Sequence, residues 1–249
     1  MQNSYWSTLH WHRVTPGVNI YYNKEGNGRN VWFEVNVPLN IQNQDLDYHT
    51  VAADTTIRLR TTLPEPMAKL EISTHNYDRY YKVQYNMNYN TGDLYSRVDI
   101  RNDADPLNIR LGNPNLKESI THQLNSQWRR RNRKHDLTVS ANLGAQVITN
   151  AIANGYTYNP ENGVRTYKRE NVDGNWNAYG LFQFNRALDS KKRWRVQTQT
   201  SLNFDHNVDI SATQGETGNN RLSKVDTWRT GQNATLSYRF KSLSVGANG

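Results

Sequence analysis

Segments of about ten residues whose side chains change character at every step constrain this chain more than any other feature. In 193–205, RWRVQTQTSLNFD, Trp194, Val196, Leu202 and Phe204 share one parity with Thr198 and Thr200. Arg193, Arg195, Gln197, Gln199, Ser201, Asn203 and Asp205 occupy the other. Side chains of an extended strand alternate between two faces, so period two predicts a β-strand with one wet and one apolar side. Val83, Tyr85, Met87 and Tyr89 likewise oppose Gln84, Asn86, Asn88 and Asn90. Leu137 to Val147, Trp176 to Phe184 and Gln232 to Phe240 each carry a similar face. A strand of this kind, ending in Trp beside charge, suits a sheet with lipid outside and water inside.

Strands are expected at 4–13, 17–24, 29–38, 66–75, 80–90, 119–129, 135–149, 175–188, 192–206 and 227–240, with another beginning near 243. No segment has a clear 3.6-residue period, so the chain reads as all-β. Short charged connections at 24–29, 75–80, 130–135, 188–192 and 240–243 alternate with long Asn/Gly/Asp-rich ones at 39–65, 91–118, 150–174 and 207–226. That is the pattern of an antiparallel up-and-down transmembrane β-barrel, with short turns on one rim and long loops on the other. Only 13–17, RVTPG, is short where a long loop is due. Turns near Arg131, Asp78 and Lys191 are expected on one rim, and loops holding Asp45, Asn113, Tyr158 and Gly218 on the opposite one. Val139, Leu143, Phe182, Leu202, Leu236 and Tyr238 should point outward, and Gln183, Gln199, Asn203 and Ser237 into the lumen. Trp128 and Trp194 fall at short-turn ends, while Trp176 and Trp228 follow long loops, as two interfacial belts would have it.

Composition narrows the alternatives. Mean hydropathy is −0.91 and no apolar run reaches roughly 18 residues, which excludes a spanning helix but not a spanning barrel. With 7 Trp, 15 Tyr, 5 Phe and regular alternation, the chain does not read as disordered. The absence of cysteine removes disulfides, thiolate metal sites and cysteine nucleophiles. A net charge of +8 invites a nucleic-acid reading, but the basic stretches WRRRNRKH (128–135) and DSKKRWR (189–195) sit where turns belong, so no nucleic-acid partner is expected. The first residues, MQNSYWSTLHWH, lack a basic-then-apolar signal segment, and the last, SLSVGANG, break off within the start of a strand. The expectation is one partial barrel domain over 1–249, without plug or signal peptide.

Two loop segments carry a resemblance. DPLNIRLGNPNL (105–116) contains a Gly112-Asn113-Pro114 turn signal, and YKRENVDGNW (167–176) leads through Asn-Val-Asp-Gly into a strand. VPLNIQNQDLDYHT (37–50) and LPEPMAKLEI (63–72) precede them in order. Over about 30–240 the chain resembles the outer-membrane β-barrel family of Bacteroidetes, whose members are TonB-dependent-receptor-like. The resemblance implies a wall section that contacts outer-membrane lipid, the remaining strands and plug of a longer chain, and a large solute such as a glycan or metal chelate. A non-transporting surface or adhesion barrel, and a soluble exported β-sandwich that binds carbohydrate, are the alternatives.

Enzyme chemistry finds little footing, and no catalytic, cofactor-binding or metal-binding residue is assigned. His10 and His12 share a strand face but have no evident third ligand. Asp45/Asp47 and Asp103/Asp105 read as solvated or turn-forming carboxylates, and Asp173-Gly174 lacks the rest of a calcium loop. No nucleophile elbow, phosphate loop or dinucleotide fingerprint occurs. Tyr48, Tyr95, Tyr156, Tyr158 and Tyr167 lie on long loops, where they can stack on a sugar, meet a plug or lid, or pack the loops together.

Overall fold

A computed structural model describes residues 5–50, 54–74, 76–97, 99, 101–211, 213–214, 221–240 and 243–248. The first six strands are β1 (Tyr5–Val14), β2 (Gly17–Gly26), β3 (Arg29–Thr50), β4 (Asp54–Pro64), β5 (Met67–Thr74) and β6 (Arg79–Asn90). A 3-10 turn at Leu94–Arg97 precedes β7 (Arg101–Asn102), β8 (Asn108–Leu111), β9 (Ser119–Asn132), β10 (Leu137–Thr149), β11 (Ala151–Tyr158) and β12 (Arg165–Val172). The remainder are β13 (Asn175–Ala187), β14 (Trp194–Ser211), β15 (Thr213–Gln214), β16 (Arg221–Phe240) and β17 (Leu243–Asn248).

The wall is an antiparallel meander in the order β1/β2, β3, β4/β5, β6, β9, β10, β13, β14, β16, β17. Among the described residues no pairing joins the first lane to the last, so the sheet is open. The short 13–17 connection is not a turn between lanes but a break within one lane. β1 and β2 both pair with β3, and Val14↔Ile41 and Gly17↔Pro38 keep one register. β4 and β5 likewise form one lane on the other side of β3. Both breaks fall at prolines, which lack the N–H a ladder needs. Pro16, Pro38 and Pro66 still accept through their carbonyls, from Leu39 N at 2.7 Å, Glu65 N at 3.0 Å and Met87 N at 3.0 Å. Gly17 lets the lanes close here, because a Cβ at that position would stand 2.9 Å from Pro38 Cα.

Above this proline seam the expected loop 39–65 is strand: β3 runs on to Thr50 and β4 returns from Asp54. Its alternating Leu46, Ile57 and Leu59 pack with Leu94, a small core that holds the hairpin together. The expected loop 150–174 is also ordered, as the β11–β12 hairpin, and 207–226 is shortened by extensions of β14 and β16. Gly218 lies outside the described residues.

Register separates the faces as parity predicts. Val139, Leu143, Phe182, Leu202, Leu236 and Tyr238 share one side with Tyr81, Val83 and Leu124. Gln183, Gln199, Asn203 and Ser237 are on the other. Leu143, Phe182, Leu202 and Leu236 are each between 42% and 46% exposed, and among the described residues no second sheet covers them. The buried apolar clusters lie at the long-loop end instead, so the soluble sandwich is excluded. Two polar pairs within the apolar face satisfy each other: Tyr85 Oη and His122 Nδ1 are 2.8 Å apart, and Thr200 donates to Gln232.

Aromatic rings mark the edges of this face. Trp194 and Tyr238 stand 4.6 Å apart near the short turns, and Trp176, Phe204 and Trp228 form a chain with spacings of 4.7 and 4.6 Å near the long loops. Trp194 to Phe204 is ten residues of strand, roughly 33 Å at ~3.3 Å per residue. Tilted by about 40°, as barrel strands are, it covers roughly 25 Å of height, the usual thickness of the apolar band.

On the polar face, Tyr179 crosses the open backbone of Gly144 and donates to Asn125 Oδ1 at 2.9 Å. A Cβ at Gly144 would sit 2.2 Å from the tyrosine ring. Ser140 donates to Gln183 Oε1, and Gln183 Nε2 to Gln199 Oε1, at 3.1 and 3.0 Å. Lys69 pairs with Glu34 at 3.0 Å beside the Trp32 ring.

The short turns share one rim and are linked. Asn27 (φ 51°) and Gly28 (φ 70°) make the two-residue β2–β3 turn that left-handed residues favour. Arg133 donates to Asp78 Oδ1 at 3.0 Å, Arg195 to Asp136 at 2.6 Å, and Arg239 N to Arg193 O at 2.9 Å. Asp189 accepts from Trp194 N at 2.8 Å, which holds its carboxyl below the usual range.

Two predictions follow from the two faces. Phe182, midway between the aromatic rows, should cost about 2–4 kcal/mol when replaced by Arg, whereas Leu202→Arg, beside Phe204, should cost roughly 0–1 kcal/mol more than a neutral change. Denaturant titration of the protein folded into lipid vesicles measures both, and equal costs would displace the membrane midplane. Gly144→Val should destabilise by about 1–3 kcal/mol through its clash with Tyr179. The same titration on Gly144→Val with Tyr179→Ala should recover most of that loss.

Candidate functional site

The long-loop rim is built from side chains that grip backbone. Asn113, in the GNPNL segment, donates from Nδ2 to Arg169 O at 2.8 Å, and its N–H donates to Ser96 O at 2.6 Å. Asn171, the first residue of NVDG, accepts from Lys117 N at 2.8 Å and donates to Lys117 O at 3.0 Å and Asn150 O at 2.8 Å. Asp173 accepts from Asn150 N at 2.7 Å. Asn150 (φ 52°) and Gly174 (φ 106°) let the β11–β12 hairpin leave the wall, a bend that favours Asn and Gly. The two sequence motifs are therefore the halves of one clamp between the 91–118 segment and the hairpin. Leu116 is buried beside it, and Ala153, Val172, Val208 and Ile210 form the core beneath.

The clamp carries a second sheet, β15-β11-β12-β8-β7, in which β8 runs parallel to β12. Between it and the β3 extension lies a cleft of about 670 Å³. Tyr48, Tyr95 and Tyr167 line it with Asp93, Asn108, Arg110 and Arg169. Tyr48 and Tyr95 meet edge-on at 6.4 Å, and Tyr95 Oη lies 2.8 Å from Ser7 Oγ. Tyr167 packs on Tyr156 at 5.5 Å. Arg169 reaches across the cleft wall to Asn154 Oδ1 and Ser96 Oγ, each at 3.1 Å. The cleft thus presents aromatic edges, amides and charges of both signs to water.

Of the five loop tyrosines, three line the cleft, Tyr156 backs one of them, and Tyr158 stands further along the hairpin. Arg169, Ser96 and Asn154 carry no chemical motif of their own in the sequence. Their one local signal is that Arg169 stands two residues before Asn171 of the NVDG motif. The paired loop carboxylates have structural duties. Asp45 faces Arg58 at 3.9 Å, Asp47 accepts from Thr56 at 2.8 Å, and Asp103 lies 3.7 Å from Arg101. Asp105 accepts from Asn108 Nδ2 at 2.8 Å and Leu107 N at 3.0 Å, and these bonds lower its pKa. His10 and His12 face Asp45 and Asn43 across the β1–β3 ladder.

Asn171→Ala should release the 91–118 segment without unfolding the wall, since it removes three side-chain-to-backbone hydrogen bonds confined to the rim, together worth about 1–3 kcal/mol. Hydrogen exchange should speed up around Lys117 and leave β13 and β14 unchanged.

A family model described as outer membrane protein beta-barrel family matches residues 73–248. No curated protein and no solved structure matches the chain significantly. The matched span takes in both motifs of the clamp and every lane from β6 onward, more than two thirds of the chain. Alternating faces, aromatic rows and family match converge: the chain belongs to the outer membrane protein beta-barrel family and resides in the bacterial outer membrane.

Proposed function

We propose that this chain is a wall section of a TonB-dependent-receptor-like barrel from the Bacteroidetes that takes up a large solute, such as a glycan or metal chelate, across the outer membrane. The observation that carries this reading is the 670 Å³ polar, tyrosine-lined cleft held at the long-loop rim by the clamp. A rim held by a clamp can present a fixed surface to an incoming solute, since loops reach while the wall is set by pairing. The amide-rich face would line the lumen and meet a plug, and the open lanes at β1/β2 and β17 would pair with the remaining strands of a longer chain. In this reading the long loops face outward and the short turns face the periplasm.

A non-transporting adhesion barrel would use the same rim, and the experiment separates the two. Cells lacking the gene are grown on a panel of single glycans or iron chelates. Loss of growth on one of them, with accumulation that stops on adding a proton uncoupler, is the expected result; unchanged growth throughout favours adhesion. The topology is tested on the cysteine-free chain. Tyr158→Cys should react with an impermeant maleimide on whole cells and Lys191→Cys should not.

A further inference from the structure

The apolar face ends, on the short-turn side, in a pair that ordinary strand pairing disfavours. Arg79 and Arg130 are direct cross-strand partners in the β6–β9 ladder, on the lipid-facing parity. Both are exposed. Directly opposed residues have Cα atoms roughly 4.5–5.5 Å apart, and like charges so placed repel. Among the described residues neither makes an ion pair, while the nearby carboxylates are engaged: Asp78 with Arg133 and Asp136 with Arg195. The next lipid-facing row is Tyr81 opposite Trp128. The two arginines thus stand one lipid-facing row beyond an aromatic pair, at the edge of the apolar band. Arg186 stands on the same face two lanes away, also exposed.

We propose that Arg79 and Arg130 form a binding site for the phosphate of an anionic phospholipid in the membrane leaflet on the short-turn side. A phosphate between them would convert the repulsion into two charge-assisted contacts. Guanidinium matches phosphate with paired N–H donors, which an ammonium does not. The long arginine stems can lie over Tyr81 and Trp128 while their heads reach the headgroup layer. An acyl chain below that headgroup would run along the apolar face toward Val83 and Leu124, both exposed. Free phosphate has no such face to cover, which favours a lipid as its source. The choice of phospholipid rests on the short turns facing the periplasm. The site itself rests only on the register, and the test below is made in detergent, so its outcome is independent of orientation.

The protein is purified from outer membranes in detergent and titrated with dioleoylphosphatidylglycerol or dioleoylphosphatidylcholine, with retained lipid counted by native mass spectrometry. The expected result is phosphatidylglycerol retained about tenfold over phosphatidylcholine, a preference abolished in Arg79→Gln/Arg130→Gln. Lys134→Gln/Lys191→Gln, which removes the same charge from turn tips, should keep it. If the arginine double variant does not fold, Arg130→Gln alone is read in the same way and should lose most of the preference. Equal retention of the two lipids by the unaltered protein, or equal loss in the lysine control, would overturn the site. Displacement of phosphatidylglycerol by an equal concentration of inorganic phosphate would overturn its assignment to a lipid.

Discussion

Backbone hydrogen bonding between neighbouring lanes is the interaction on which everything else here depends. A hydrocarbon surrounding offers no water to an unpaired N–H or C=O, so a spanning strand must find its partners in other strands. The lanes meet this demand in unbroken register, even where prolines remove donors. Once pairing fixes the register, parity fixes the faces, and the faces fix what each side can touch. The side chains of the wall then need only suit lipid or water. Apolar burial between layers, the usual foundation of a soluble fold, is confined to small clusters at one end.

The proline seam divides the protein into parts with different work. Below it, lane meets lane under lipid. Above it, the hairpin extensions, the 3-10 turn and the second sheet assemble around side-chain-to-backbone contacts and a few buried leucines, isoleucines and valines. The cleft belongs to the upper part. Its lining comes from segments far apart in sequence, Tyr48, Asp93 to Gly112, and Asn154 to Arg169, which only the clamp brings together.

Much of the wall could be read from the sequence because the period of two is a local property. Val139, Phe182, Leu202 and Leu236 took their faces from parity alone, and Trp176 and Trp194 marked the band edges. The rim was less legible. Segment 39–65 carries Asn40, Asn43, Asp45, Asp47 and Asp54, residue types that favour turns, yet Leu46, Ile57 and Leu59 made it a hairpin by finding Leu94 across the chain. RVTPG looked like a turn because Pro16 and Gly17 punctuate so strongly; only pairing with Pro38 shows that the chain goes straight on. GNPNL and NVDG were visible as motifs, but their contact with each other spans more than fifty residues and has no local signature. The cleft's Arg169 was hidden for the same reason.

The clamp also bears on how such a surface can change over generations. Asn113 and Asn171 hold the loop through the main-chain atoms of Arg169 and Lys117, not through their side chains. A substitution at Arg169 therefore alters what the cleft presents while the latch that shapes it stays closed. Shape and chemistry are inherited separately here. A lineage can exchange the lining residues one at a time while the main-chain latch is kept.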